Sequence, residues 1–233
     1  MNAVILCGGL GTRLGSLTRE TPKPLLEVAG KPFISHVLEQ LHHSGVTRAC
    51  LAVSFQWHKL KTVLGDSWQG FPLSYSVEAK PLGTGGAIRQ AMLQMGWSEA
   101  IVANGDTLVD VDLKAMVSHS SLCSADIVLA LKQVADTARF GRVNINSVTR
   151  VESFSEKGVA GPGLINAGVY WLRGSSLSQC PQDVFSFEHD LMAAQLAELQ
   201  IYGKITEGYF IDMGIPEDLA RARRELLVGP SDP

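Results

Sequence analysis

Short apolar runs alternate with helix-period segments along the first half of the chain, and this alternation limits the fold more than any other feature. Ala3 to Cys7 reads as a buried strand. Pro32 to His43 reads as a helix with Ile34, Leu38 and Leu41 on one face and Gly45 beyond its end. Arg48 to Val53 is a strand, Trp57 to Leu64 a helix with Leu60, Val63 and Leu64 inward, and Leu73 to Val77 a strand. Gly85 to Met95 is a helix with Ile88, Met92 and Met95 on one face, and Ala100 to Ala103 a strand. Leu113 to His119 is a helix capped by Asp112, and Ile127 to Leu131 a strand. Strands that return in the same direction need crossover helices. The expectation is therefore a Rossmann-like α/β domain, a mostly parallel central sheet flanked by helices on both faces.

The second half is less regular. Val143 to Ile145 and Arg150 to Phe154 read as short strands, a hairpin at the sheet's edge. Leu164 to Leu172 is a strand, Phe187 to Leu196 a helix, Tyr209 to Asp212 a last strand and Pro216 to Leu227 a last helix. With no linker or repeat, residues 1–228 form one domain and residues 229–233, Gly-Pro-Ser-Asp-Pro, a fraying tail.

A net charge of -3 and the lack of any long basic run argue against nucleic acid or a membrane surface as partner. No apolar stretch approaches the ~20 residues of a spanning helix, and the N-terminus lacks the basic region of a signal peptide. Cys7, Cys50, Cys123 and Cys180 are far apart and fit reduced thiols, so a cytoplasmic location is expected.

The first strand runs into Gly8-Gly9-Leu10-Gly11-Thr12-Arg13, where an open α/β sheet places ligands. Glycines let backbone N–H groups approach phosphate, and Arg13 adds charge. No register gives a Walker A loop. The dinucleotide fingerprint fails because Leu14 stands where its third glycine should be. A looser pattern, Gly9, Gly11 and Gly15, is followed too soon by Pro22 and Pro24 for a long helix, and Val53-Ser54 supplies no acidic residue. Those two prolines fix the backbone around Lys23, which suits an ammonium that must meet phosphate. Asp106 and Asp212 each stand near the end of an apolar run.

The stretch from Leu6 to Leu38, LCGGLGTRLGSLTRETPKPLLEVAGKPFISHVL, resembles the signature of the sugar-1-phosphate nucleotidyltransferases. The likeness continues at Glu78–Ala87, Asn104-Gly-Asp-Thr107, Phe140-Gly141, Ser155-Glu-Lys157, Ile165–Gly168 and Phe210–Gly214. Among the family's branches, the short length, NGDT and FIDMGIPED are most similar to the D-glycero-α-D-manno-heptose 1-phosphate guanylyltransferases. Ser16 departs from the proline of many other branches.

The resemblance implies the nucleotide-diphospho-sugar transferase fold. It also implies a nucleotide site of Leu6, Gly8, Gly9, Gly11, Thr12, Arg13, Lys23, Glu78, Gly83, Thr84, Asn104 and Gly105, mainly within residues 1–122. Arg13 would hold the β- and γ-phosphates and Lys23 the α-phosphate. A solvated surface role fits Glu78 equally well. Gly141, Glu156, Lys157, Asn166, Gly168 and Glu188 would form the sugar-phosphate site, mainly within residues 123–228. Mg²⁺ on Asp106 and Asp212, GTP and a sugar 1-phosphate are the implied cofactor and partners, and a homodimer is compatible with the reading. Within the class, uridylyl, thymidylyl or mannose-directed transfer stays open. Outside it, so do an NADP-binding reductase using Gly9, Gly11 and Gly15 and a non-catalytic sugar-nucleotide sensor. The six histidines show no metal-ligand spacing, and Trp57, Trp68, Trp97 and Trp171 are scattered and read as packing residues.

Overall fold

The computed structural model describes residues 1–9 and 11–228; Leu10 and the expected tail lie outside this set. In chain order the strands and helices are β1 (Asn2–Leu6), α1 (Leu17–Glu20), β2 (Glu27–Val28), β3 (Lys31–Pro32), α2 (Phe33–His43), β4 (Arg48–Val53) and α3 (Trp57–Leu64). Then come β5 (Ser67–Trp68), β6 (Phe71–Val77), α4 (Gly83–Met95), β7 (Glu99–Asn104), β8 (Thr107–Val109), α5 (Leu113–Leu122) and β9 (Ile127–Val134). The chain ends with β10 (Val143–Ile145), β11 (Val151–Phe154), β12 (Gly163–Arg173), β13 (Ile201–Thr206), β14 (Phe210–Asp212) and α6 (Pro216–Val228).

Among the described residues the main sheet has eight strands in the order β13-β9-β12-β7-β1-β4-β6-β5. β1 runs parallel to β4 and β7, β4 parallel to β6, and β9 parallel to β13. β12 runs against both β7 and β9, and β5 against β6. The expected parallel-rich α/β sheet is what forms.

Side chains alternate across the sheet, as a pleated strand requires. Ala3, Ile5, Leu51, Ile101 and Val128 meet one apolar layer built from α2, α3, α5 and α6. Val4, Cys50, Val102, Leu129 and Leu172 meet another, built from α4 and the segment Phe187–Ala193. Asp112 caps α5, its Oδ1 accepting the Ala115 N–H at 2.9 Å. The hairpin β10–β11 stands off the sheet and touches its edge through the Arg150–Tyr202 bridge.

Four expectations need correction. Val63 is exposed, because α3 turns only Leu60 and Leu64 inward. Pro32 caps α2 rather than opening it, its ψ of 140° being extended. The helix expected from Phe187 is a π-helical segment, Phe187–Ala193. Ile201–Thr206 is an edge strand, where no strand was expected because Gly203 and Lys204 interrupt its apolar pattern.

Candidate active site

The parallel strands β1, β4, β6 and β7 end together, and their carboxyl ends open onto a cleft. Three chambers meet in it end to end. The first and central chambers share Leu6, Gly9 and Thr84, and the central and third share Lys23, Asn104, Asp106 and Glu188.

The first chamber lies beside the glycine turn and is lined by Leu6, Gly8, Gly9, Glu78, Gly83 and Thr84, with Trp57 as an aromatic wall. Ser54 Oγ donates to the Gly8 carbonyl at 2.7 Å, and a Cβ on Gly8 would lie 2.7 Å from Glu78 Oε1. Gly9 is exposed, and a Cβ there would meet nothing within 4 Å. Gly11, at φ 62°, reverses the chain while Thr18 Oγ1 donates to its carbonyl at 2.9 Å. Thr12 opens a short 3₁₀ turn, and its side chain falls outside the described set. Glu78 Oε2 accepts the Leu82 N–H at 2.9 Å, and burial raises the Glu78 pKa against the pull of that hydrogen bond.

In the central chamber Lys23 sits in a 3₁₀ turn between its two prolines, only 11% exposed, and pairs with Asp106. Gly105 is buried in the turn before Asp106. A Cβ there would be 2.7 Å from Cys7 Sγ. The Met213 N–H donates to the Asp106 carbonyl at 3.0 Å, and Asp212 faces Thr107 across the β8–β14 pair. Asp106 and Asp212, 106 positions apart in sequence, are thereby brought side by side. Burial, then the neighbouring Asp106 charge, raise the Asp212 pKa. Among the described residues Asp212 has no ion-pair partner, and no cluster of three or more metal-ligating side chains occurs. Such a half-neutralised carboxylate pair fits a hard divalent cation whose remaining ligands are phosphate and water oxygens.

The third chamber collects Gly141, Glu156, Lys157, Asn166, Gly168 and Glu188 together with Asp106 and Asp212. Arg13 lines this chamber rather than the first or the central one. Gly141 and Gly168 are both left-handed, at φ 81° and 75°. A Cβ on the first would lie 2.6 Å from the Ser155 carbonyl, and on the second 2.6 Å from Asn104 Nδ2. Gly141 thus lets the loop carrying Glu156 and Lys157 close down, and Gly168 makes room for Asn104. Lys157 is exposed and forms no ion pair among the described residues.

A protein-family profile described as nucleotidyl transferase matches residues 2–228. This chain belongs to the nucleotidyl transferase family. It is 38% identical to a D-glycero-alpha-D-manno-heptose 1-phosphate guanylyltransferase of Aneurinibacillus thermoaerophilus over 228 residues, 97% of this chain and 98% of the relative. It is 41% identical to the enzyme of the same name from Campylobacter jejuni over 220 residues, covering 94% and 96%. The crystal structure of HddC from Yersinia pseudotuberculosis complexed with GMP-PN superposes with a TM-score of 0.83 at 37% identity, covering 96% and 98% of the two chains.

Sequence reasoning missed several residues of this nucleotidyltransferase's cleft. Trp57, read as packing, lines the first chamber while its other side rests on the core. Tyr170 and Phe187 wall the central chamber, and Arg139, Arg142 and His189 line the third. Arg139 is held by Asp218 at 2.6 Å. Its place beside Phe140-Gly141 was the available signal; nothing local marks Tyr170, whose position depends on strand pairing.

Proposed function

We propose that the chain transfers GMP from GTP to D-glycero-α-D-manno-heptose 1-phosphate, giving GDP-heptose and pyrophosphate. The observation that carries the proposal is the continuous cleft, in which a chamber beside the glycine turn and a chamber beside Lys157 are joined at the Lys23–Asp106 pair. The near-full-length likeness to two heptose 1-phosphate guanylyltransferases supports the choice of base and sugar.

In this reading Leu6, Gly8, Gly9, Gly11, Thr12, Glu78, Gly83, Thr84, Asn104 and Gly105 surround GTP. Arg13 holds the β- and γ-phosphates. Lys23, mostly shielded from water, faces the α-phosphate, where charge shifts as the reaction proceeds. Gly141, Glu156, Asn166, Gly168 and Glu188 hold the heptose, and Lys157 its phosphate. Residues 1–122 thus mainly serve the nucleotide and residues 123–228 the acceptor.

An oxygen of the sugar phosphate attacks the α-phosphorus; one P–O bond forms as the α–β bridge breaks and pyrophosphate leaves. A phosphate monoester with a second pKa of about 6 is already largely dianionic at neutral pH, so no general base is required. Asp106 and Asp212 would hold Mg²⁺, which when bound offsets charge on the phosphate oxygens. Made in the cytoplasm, where GTP is at hand, GDP-heptose would feed a bacterial surface glycan such as capsule or lipopolysaccharide.

The test is pyrophosphate release by purified protein with GTP, ATP, UTP or dTTP against heptose, mannose and glucose 1-phosphates. GTP with heptose 1-phosphate is expected to be fastest, to stop with EDTA and to resume with Mg²⁺. Faster turnover with mannose 1-phosphate would replace the acceptor, and no release with any pair would favour the sensor reading.

A further inference from the structure

Glu188 stands in the first turn of the π-helical segment, with its side chain at the junction of the central and third chambers. One of its oxygens, Oε1, is held twice. The Tyr170 hydroxyl donates to it at 2.7 Å and Asn166 Nδ2 at 2.9 Å. Asn166 Nδ2 also donates to the Tyr170 oxygen at 2.7 Å, so the three groups close a triangle. The Asn166 amide cannot be reversed without loss, because its Oδ1 accepts the Gly168 N–H at 3.0 Å. Among the described residues Oε2 has no hydrogen-bond partner.

The strand is built to allow this. Asn166 pairs with Leu131 and Tyr170 with Leu129, so four steps along β12 face two along β9. The resulting bulge brings Asn166 and Tyr170 to one carboxylate, a local re-aiming of side chains that bulges provide. Tyr170 is 1% exposed, and its ring packs edge-on against Phe187, the residue before Glu188, at 5.0 Å and 82°. Phe187 is fixed in turn, its N–H donating to Thr84 Oγ1 at 2.9 Å. Burial and then the Glu188 charge push the Tyr170 pKa far up, so its proton stays available to the carboxylate.

We propose that Tyr170 is a positioning residue that acts through Glu188: its hydroxyl locks one carboxylate oxygen so that the other is presented to a sugar hydroxyl. This rests on the reading that Glu188 contacts the sugar. A carboxylate free to rotate would lose orientation each time the acceptor leaves; one clamped at Oε1 is preorganised for a single geometry.

The experiment compares Tyr170→Phe, Glu188→Gln and the double variant, using whichever acceptor the wild type turns over fastest. Tyr170→Phe removes one oxygen and keeps the ring. It is expected to raise the KM for sugar phosphate about tenfold, the effect of losing one hydrogen bond to a charged group that retains another. GTP affinity by calorimetry should stay within about twofold, well under 1.4 kcal/mol. The double variant should be no worse than Glu188→Gln alone, because both changes act on one contact. An unchanged KM in Tyr170→Phe, with KM raised in Glu188→Gln, would overturn the positioning role while leaving the sugar site intact. Full additivity in the double variant would overturn it as well, since Tyr170 would then act by another route. An unchanged KM in Glu188→Gln would instead remove Glu188 from the sugar site and the inference with it.

Discussion

Two glycine-rich stretches border the cleft, and the same residue type serves opposite ends in them. Around Gly8–Gly11, the tip of the turn is open: Gly9 is exposed, and a Cβ there would meet nothing within 4 Å. Around Gly83–Gly86 the space is already filled by the protein. A Cβ on Gly83 would fall 2.4 Å from the Phe185 carbonyl oxygen, on Gly85 2.2 Å from the Phe185 ring, and on Gly86 2.4 Å from the Asp183 carbonyl oxygen. Hydrogen bonds from Phe185 N–H to Leu82 O and from Gly85 N–H to Phe185 O, both 3.0 Å, hold that segment in place. In the first stretch only Gly9 leaves open space, which the proposed function gives to GTP; Gly8 and Gly11 beside it are crowded by Glu78 and Thr18. The second mostly keeps room for residues 183–187, which lead into Glu188.

Three substitutions can break or sharpen this contrast. The largest effect is expected from Gly85→Ala, where the new methyl group overlaps a buried ring. Overpacking of this kind costs about 1–3 kcal/mol, or a Tm lower by roughly 2–12 °C for a chain of this size. An unchanged melting curve would mean that the segment yields freely and that the glycines are not there for it. Gly9→Val should do the reverse. Its Tm should hold, while GTP affinity falls about tenfold, equivalent to about 1.4 kcal/mol. Unaltered GTP affinity in calorimetry would place the nucleotide elsewhere.

The smallest effect concerns the carboxylates Asp106 and Asp212, farther along the cleft. The native state holds the Asp212 proton more tightly than an unfolded chain does, because burial and Asp106 raise its pKa. Its favourable contribution is therefore present at acid pH and lost as pH rises through the raised pKa. Asp212→Asn should raise the Tm of metal-free protein at pH 7 by about 2 °C while turnover falls. The gain should vanish towards pH 4, near the pKa of an ordinary aspartate. A lower Tm at pH 7 would show that the paired charges stabilise the fold.

The first half of the fold was legible because its strands are buried on both faces and its helices carry one apolar stripe, patterns that local sequence records. Arg48–Val53 and Trp57–Leu64 have the expected bounds. Ile201–Thr206 was not, since an edge strand around Gly203 has little pattern to display. The motifs drew attention to Lys23, Asp106, Lys157 and Asn166, and all four line the cleft. The pairing of Tyr170 with Glu188, and of Gly85 with Phe185, was not. Each joins residues remote in sequence through the bulge in β12 or the packing of α4, which only the folded chain creates.

The central claim is that the two ends of the cleft hold different substrates, and Lys157→Ala tests it most directly. Lys157 faces the third chamber, has no ion-pair partner among the described residues and is exposed, so its removal should leave the fold intact. Losing a charged hydrogen bond is worth about 1.5–3 kcal/mol, so kcat/KM for the sugar phosphate should drop by about one to two decades. Calorimetric titration of GTP without sugar should give the wild-type affinity. A large loss of GTP affinity with an unaltered KM for sugar phosphate would contradict the account, because it would mean that the chamber beside Lys157 holds the nucleotide.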